Sequence, residues 1–160
     1  MGVRTRDQYI GSLRDQRPRV YMAGRRVDNI FDHPLFKLGI NSLAVTYEVA
    51  NDPRYMDLSI VESPLINETI SRWTHIQENA EDALVKTKLM RRLGDAICAC
   101  HYRCITSDCL NAAWAISWEI DRKHGTNYHQ RVVEVVKEAQ RKDLMIGGGI
   151  VDPRGDRRFR

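Results

Sequence analysis

Hydrophobic residues recur along most of this chain at spacings of three and four, the period of an amphipathic helix. A first helix is predicted over residues 5–15, with Thr5 as its N-cap and Pro18 beyond its end. A second is predicted to open at His33-Pro34, with proline in its first turn, and to end at residues 51–53. The pattern thus predicts two helices in the first third of the chain.

The second half of the chain carries three more helical periods. These helices are predicted to end near Arg103, at His124-Gly125 and near Arg141. Their predicted N-caps are, in order, Asn79, Ser107 or Asp108, and Asn127. Helix dominates the pattern, so the predicted fold class is mainly α.

Short extended pieces separate the helices. Residues 20–22 form one, which a turn at Ala23-Gly24 brings back to Val27. Residues 55–58 suit a single helical turn. Residues 59–76 have no helical period and contain Pro64 and several branched side chains, which favours extended or loop structure.

The helical pattern ends at the glycines of residues 147–149, and a charged tail follows. In that tail Ile150, Val151 and Phe159 have no apolar pattern to join. We therefore expect residues 1–146 to form one helical domain and residues 147–160 to be a linker. The chain is predicted to be one portion of a larger enzyme, completed by the rest of the same polypeptide or by a companion subunit.

Composition narrows the function classes. The 160 residues carry a net charge of +4, and the last ten residues, with four Arg and two Asp, supply +2 of it, so support for nucleic-acid binding is weak. No apolar run approaches the roughly 20 residues of a membrane span. The charged start has no signal-peptide core, and Asp7 and Asp15 argue against a transit peptide. A cytoplasmic protein is expected.

The four cysteines, Cys98, Cys100, Cys104 and Cys109, lie within twelve residues. Such a cluster cannot join distant segments, and in the cytoplasm it indicates metal binding, catalysis or simple burial. If the helix is continuous, Cys100 and Cys104 lie about 40° apart around its axis, and Cys98 lies about 160° from Cys100. Two thiols cannot close a four-ligand site, so the pattern leaves burial and metal binding both open for this pair.

The neighbours of the pair receive plainer predictions. Cys98 and Cys109 are expected to be buried as small hydrophobic residues, although Cys109 is near enough to be a third ligand. His101, which lies about 100° from Cys100 on a continuous helix, is expected to be a hydrogen-bonded or solvated side chain.

Several motifs resemble the 4-hydroxyphenylacetate 3-hydroxylase superfamily. They are QYIGSLR (residues 8–14), RVYMAG (19–24), DHP (32–34) and TYE (46–48). Further segments resemble the 4-hydroxybutyryl-CoA dehydratase branch of that superfamily: CHYRC (100–104), WEID (118–121), GTNYH (125–129) and DPRGDR (152–157). In this branch a Gln is found between the two cysteines, where this chain has Tyr102.

The resemblance implies an acyl-CoA-dehydrogenase-like flavoprotein fold, in which this chain is the N-terminal helical domain and residues 147–160 lead into an absent middle β domain. It implies FAD, one 4Fe–4S cluster and a homotetramer. The branch binds its cluster through three Cys and one His. Two of these cysteines correspond to Cys100 and Cys104, and the other two ligands belong to the absent part of the chain.

The activity implied is the radical dehydration of 4-hydroxybutyryl-CoA to crotonyl-CoA, with no catalytic acid or base supplied by this chain. One alternative is a portion of a reduced-flavin-dependent aromatic monooxygenase of the 4-hydroxyphenylacetate type, in which the cysteines are only core residues. Another is a non-enzymatic helical binding module with Arg-rich ends. The expected partners are the missing portion, an acyl-CoA substrate and further copies of the enzyme, with no nucleic acid and no membrane.

Overall fold

The computed structural model describes residues 3–98 and 100–148, and six α-helices carry most of that part of the chain. The helices are α1 (Arg6–Gln16), α2 (Pro34–Ala50), α3 (Met56–Ser59), α4 (Ala80–Ile97), α5 (Cys104–His124) and α6 (His129–Lys142). The mainly α fold class is confirmed. From residue 149 onward, the predicted linker lies outside the described residues.

Within the described residues, two antiparallel hairpins interrupt the helices. Their strands are β1 (Val20–Met22) with β2 (Arg25–Val27), and β3 (Ile60–Ser63) with β4 (Glu68–Ser71). Val20 pairs with Val27 in the first hairpin, as the sequence predicts. In the second, Ile60 pairs with Ser71, and a 3₁₀ turn (Arg72–Thr74) follows. The region without helical period therefore forms a hairpin.

The first two helices begin where their caps predict. Thr5 and Gln8 form a reciprocal capping box at the start of α1, where the Thr5 hydroxyl accepts from the Gln8 N–H at 3.2 Å and the Gln8 side chain accepts from the Thr5 N–H at 2.9 Å. At α2 the His33 Nδ1 accepts from the Leu35 N–H at 3.3 Å, and proline occupies the first turn.

Three groups of buried side chains form the core of the part of the chain that the structure describes. The first, Tyr9, Ala44 and Tyr47, lies between α1 and α2. The second consists of Trp73 of the 3₁₀ turn with Leu89 and Leu93 of α4. The third, Leu110, Val136 and Ala139, lies between α5 and α6. Cys104 packs against the second group, which we call the Trp73 cluster, and Leu144 and Ile146 pack against the third. None of the helices in the described ranges is long and apolar enough to span a membrane.

The predicted helix from Asn79 to Arg103 ends six residues earlier than expected, at Ile97. Asn79 does cap α4, but the helix ends at Ile97, where Cys98 turns left-handed with a φ of 54°. The next helix begins at Cys104 rather than at Ser107 or Asp108. His101 and Arg103 are both buried. On a continuous helix these two side chains would point to nearly opposite sides, whereas the turn between α4 and α5 lets both face the core.

The N-cap of α6 also differs from the prediction. The helix begins at His129, and Tyr128 caps it without a side-chain bond. The Asp121 carboxylate of α5 accepts from the N–H groups of Tyr128 and His129 at 2.8 and 2.7 Å, and from the Thr126 hydroxyl at 2.7 Å. Asp121, a side chain of the preceding helix, therefore caps α6 in place of Asn127.

Candidate functional site

Residues 100–104, which we call the cysteine turn, connect α4 to α5. The chain reverses at Tyr102, whose φ is 62°, and the Arg103 N–H donates to the His101 carbonyl at 2.8 Å. This three-residue pattern is a γ-turn. A left-handed conformation costs a residue other than glycine about 1–2 kcal/mol, so contacts around the turn must hold it in place.

The two thiols of the turn differ in environment. Cys100 is exposed, and its Sγ accepts from the Tyr102 N–H at 3.4 Å. Cys104 is half-buried against the Trp73 cluster. Burial raises the pKa of the Cys104 thiol, and the neighbouring Cys100 raises it further. Cys100 and Cys104 do lie close together, as the sequence predicts. The cysteine turn and the first residue of α5 bring them together, and not a shared face of one continuous helix.

His101 lies on the inner side of the turn. Its ring packs against Trp73 in a tilted arrangement, with 4.6 Å between centroids and 44° between the ring planes, and the side chain is buried. Burial lowers the pKa of His101, and the positive charge of Arg103 lowers it further, so these surroundings favour the neutral imidazole. In the described part of the structure its Nδ1 has no hydrogen-bond partner. The expectation of a hydrogen-bonded or solvated histidine is therefore wrong at this atom.

Arg103 anchors the turn on its buried side, a role that the sequence pattern does not indicate. Its guanidinium is fully buried, pairs with the equally buried Asp143, and lies 4.3 Å above the Tyr47 ring. Its Nε and Nη1 have no partner among the described residues. Asp143 lies forty residues away, so no local signal in the sequence identifies this contact.

The other two cysteines are not buried. Cys98 and Cys109 are both exposed, which contradicts the prediction that they act as small core residues. Within residues 3–98 and 100–148, no group of three or more His, Cys, Asp or Glu side chains is gathered as a metal site. The cysteine turn therefore presents two thiols and no complete ligand set.

This arrangement suits part of an iron–sulfur site. Such clusters take four thiolate or imidazole ligands, and their potential depends on hydrogen bonds to sulfur and on burial. The cysteine turn offers two neighbouring thiols, one N–H donated to sulfur, and apolar packing beneath Cys104. A cluster bound by these two thiols would need two further ligands from elsewhere.

A second polar group lies at the start of α4. The His75 Nε2 is 3.3 Å from the Asp82 carboxylate, and Arg72 lies 3.9 Å from it on the other side. Burial raises the pKa of Asp82, but hydrogen bonds from the Glu78 N–H and His75 outweigh it and hold the pKa below its usual range. Arg72 also donates to the Leu58 and Ile60 carbonyls. These contacts tie the 3₁₀ turn to α3, β3 and α4, which is a structural role.

Comparison with known proteins decides the family. Residues 5–160 match the family profile described as 4-hydroxyphenylacetate 3-hydroxylase N terminal. The chain belongs to this family. It is 43% identical over 153 residues to the 4-hydroxybutyryl-CoA dehydratase/vinylacetyl-CoA-Delta-isomerase of Clostridium aminobutyricum, covering 96% of this chain and 31% of that protein.

Two solved structures share the fold of this chain. The oxygen-tolerant archaeal 4-hydroxybutyryl-CoA dehydratase from N. maritimus superposes with a TM-score of 0.90 at 40% identity, covering 98% of this chain and 31% of that one. The oxygenase component of 4-hydroxyphenylacetate 3-monooxygenase, solved with FAD and 4-hydroxyphenylacetate, gives 0.65 at 17% identity, covering 89% and 29%, which shows a shared fold. This chain thus corresponds to the N-terminal third of its relatives.

Proposed function

We propose that this chain is the N-terminal portion of an FAD- and 4Fe–4S-dependent dehydratase that converts 4-hydroxybutyryl-CoA to crotonyl-CoA and water. The similarity to the clostridial dehydratase over 96% of the chain carries the proposal. The cysteine turn supports it, because Cys100 and Cys104 are brought together at a surface where further ligands can approach.

In this proposal Cys100 and Cys104 bind the cluster as thiolates. The Tyr102 N–H would continue to donate to the Cys100 sulfur, which withdraws charge from a thiolate, while the Trp73 cluster keeps water from one side of Cys104. When bound, the 4Fe–4S cluster supplies a Lewis-acidic iron for the leaving hydroxyl, and FAD supplies one-electron chemistry. We assign no catalytic acid or base to this chain.

The remaining parts would come from the other two-thirds of the family's length. These are the third cysteine, the histidine ligand, the FAD site and the acyl-CoA site. Residues 147–160 are proposed to lead into the middle β domain, and the assembled enzyme is proposed to be a homotetramer. Four free cysteines suit a reducing compartment, so we assign the enzyme to the cytoplasm.

The test is iron and sulfide content in four matched variants, Cys98→Ala, Cys100→Ala, Cys104→Ala and Cys109→Ala. Each variant is purified under anaerobic conditions. It is assembled with the part of the enzyme that corresponds to the other two-thirds of the family's length. We expect iron and labile sulfide to be largely lost in Cys100→Ala and Cys104→Ala, because each removes a ligand. Cys98→Ala and Cys109→Ala are the controls and should keep both.

The outcome also separates the alternatives. Full iron content in both Cys100→Ala and Cys104→Ala would overturn the proposed ligands. If the assembled protein contains no iron and hydroxylates a phenol with reduced flavin, the monooxygenase alternative is correct.

A further inference from the structure

The segment that leaves α6, residues 143–148, lies along the first turn of α5, and we call it the strap. Three contacts join the two. Asp143 pairs with Arg103, immediately before Cys104. The Thr106 hydroxyl donates to the Ile146 carbonyl at 3.1 Å and accepts from the Ile146 N–H at 2.9 Å. Gly148 approaches Ile105 so closely that an added Cβ would stand 2.6 Å from its Cγ2.

The strap is itself held firmly on its other side. Asp143 has a left-handed φ of 43°, and its carboxylate accepts from the Arg4 N–H at 3.1 Å. Its carbonyl accepts from the Tyr47 hydroxyl at 3.2 Å. Leu144 and Ile146 pack into the core group between α5 and α6. The strap is therefore fixed to the rest of the domain on the side that faces away from the first turn of α5.

The strap contacts the residues on both sides of Cys104. The contacts involve Arg103, Ile105 and Thr106, which flank this cysteine in sequence, and they leave its sulfur free. They define where α5 begins and so the direction in which the Cys104 side chain leaves the backbone. Cys100 is positioned by the γ-turn and by the hydrogen bond to its sulfur.

We propose that the strap positions the thiol pair, with Thr106 and Gly148 acting as positioning residues that keep Cys104 facing Cys100. The purpose assigned to this device, holding two cluster ligands in register, rests on the proposed function. The geometric claim stands apart from it: a group that must be bound by both thiols at once is bound tightly only while the strap lies on α5.

The probe is phenylarsine oxide, whose trivalent arsenic condenses with two thiols to form two As–S bonds and release one water, without a change in oxidation state. The full 160-residue chain is used with Cys98→Ser and Cys109→Ser, so that only the pair remains. The affinity is measured by competition with 2,3-dimercaptopropanol. Adding Cys104→Ser gives the one-thiol reference, which a monothiol should displace readily.

Two strap variants are compared with two matched controls. Thr106→Val keeps the shape and removes both hydrogen bonds, and Gly148→Ala introduces the close contact with Ile105. Thr87→Val, on an exposed part of α4, and Gly147→Ala, where a Cβ meets nothing within 4 Å, are the controls. We expect each strap variant to bind the arsenical roughly tenfold more weakly, because the second thiol loses effective concentration, while both controls bind as the parent does.

A second-site variant distinguishes positioning from general destabilisation. Ile105→Ala removes the Cγ2 that would collide with a Cβ at residue 148, so Ile105→Ala with Gly148→Ala should restore the affinity. General destabilisation predicts a further loss instead, because a half-buried side chain is also truncated. Circular dichroism confirms that every variant is folded at the assay temperature.

Unchanged arsenical affinity in both strap variants overturns the inference, and so does failure of the double variant to regain affinity. Neither result depends on iron. If the strap variants weaken arsenical binding while Cys100→Ala and Cys104→Ala keep their iron, the positioning inference holds and the proposed cluster ligands fail. If the iron is lost but the arsenical is unaffected, the reverse is true.

Discussion

The side chains that matter most at residue scale are polar groups removed from water. Tyr9 and Tyr47 stack with 4.6 Å between their rings in the core group of α1 and α2. Burial raises the pKa of both hydroxyls, and the neighbouring Tyr47 raises that of Tyr9 further, to about 12. The fold therefore favours the neutral phenol at both positions.

This preference predicts a loss of stability at alkaline pH. A group whose pKa is higher in the folded state stabilises the fold below its ordinary pKa, and that contribution disappears as the pH rises through the folded value. For Tyr9 the window runs from about pH 10 to about pH 12, and the loss is on the order of 3 kcal/mol. Urea unfolding across this range should show a smaller loss in Tyr9→Phe than in the parent.

Tyr21→Phe, at a tyrosine that is exposed on the first hairpin, controls for removal of a hydroxyl. It should follow the parent. Equal loss of stability in the parent and in Tyr9→Phe would contradict the assignment of this window to Tyr9.

At the scale of elements, the connections between helices differ in how local they are. The α5–α6 connection closes on a single carboxylate, Asp121, which accepts three hydrogen bonds from residues 126–129. Burial raises the pKa of Asp121, but these hydrogen bonds lower it by more, so the net shift is downward. The ionised carboxylate is therefore the form that stabilises the hairpin of α5 and α6.

Removing this carboxylate should destabilise the domain in a pH-dependent way. Because the folded pKa is depressed, the contribution of Asp121 is present above its ordinary pKa, near 4, and is lost as the pH falls through the folded value. We expect Asp121→Ala to lower the urea midpoint at pH 7 by more than Thr126→Ala, which removes one donor. At pH 2 the gap should shrink, and a gap of constant size would contradict this account.

The connection between α4 and α5 depends on contacts between residues that are distant in sequence. The caps at Thr5, His33 and Asn79, and the glycine that ends α5, were predictable because each acts within a few residues. The break after Ile97 was not, because Leu93, Ile97 and Cys104 do keep helical spacing and do pack in one cluster. What separates them is burial of His101 against Trp73 and of Arg103 against Asp143, and these partners are distant in sequence.

At the scale of the whole molecule, Asp143 joins parts of the chain that are far apart. It pairs with Arg103, accepts from the Arg4 N–H, and receives the Tyr47 hydroxyl at its carbonyl. The N-terminal segment, α2, the cysteine turn and the end of α6 thus meet at one residue. A sequence without its fold gives no sign of this, because the three partners of Asp143 share no spacing or motif.

Loss of the Asp143 charge should therefore be costly. Asp143→Asn leaves the Arg103 guanidinium buried without its counter-charge, and removing one partner of a buried ion pair typically costs about 3–5 kcal/mol. Tyr47→Phe removes only one hydrogen bond to the same residue and should cost about 1 kcal/mol. Chemical denaturation at neutral pH measures both, and a smaller loss for Asp143→Asn than for Tyr47→Phe would contradict the role assigned to the ion pair.

The bond from Arg4 to Asp143 has a consequence for the dynamics of the chain. Residues that precede a first helix commonly fray, and their amide hydrogens exchange with water within moments. The Arg4 N–H instead donates to a fully buried carboxylate, and the Arg4 carbonyl accepts from the Asn51 side chain at 2.9 Å. Its amide is therefore expected to exchange only when the packed domain opens, at the pace of the core helices.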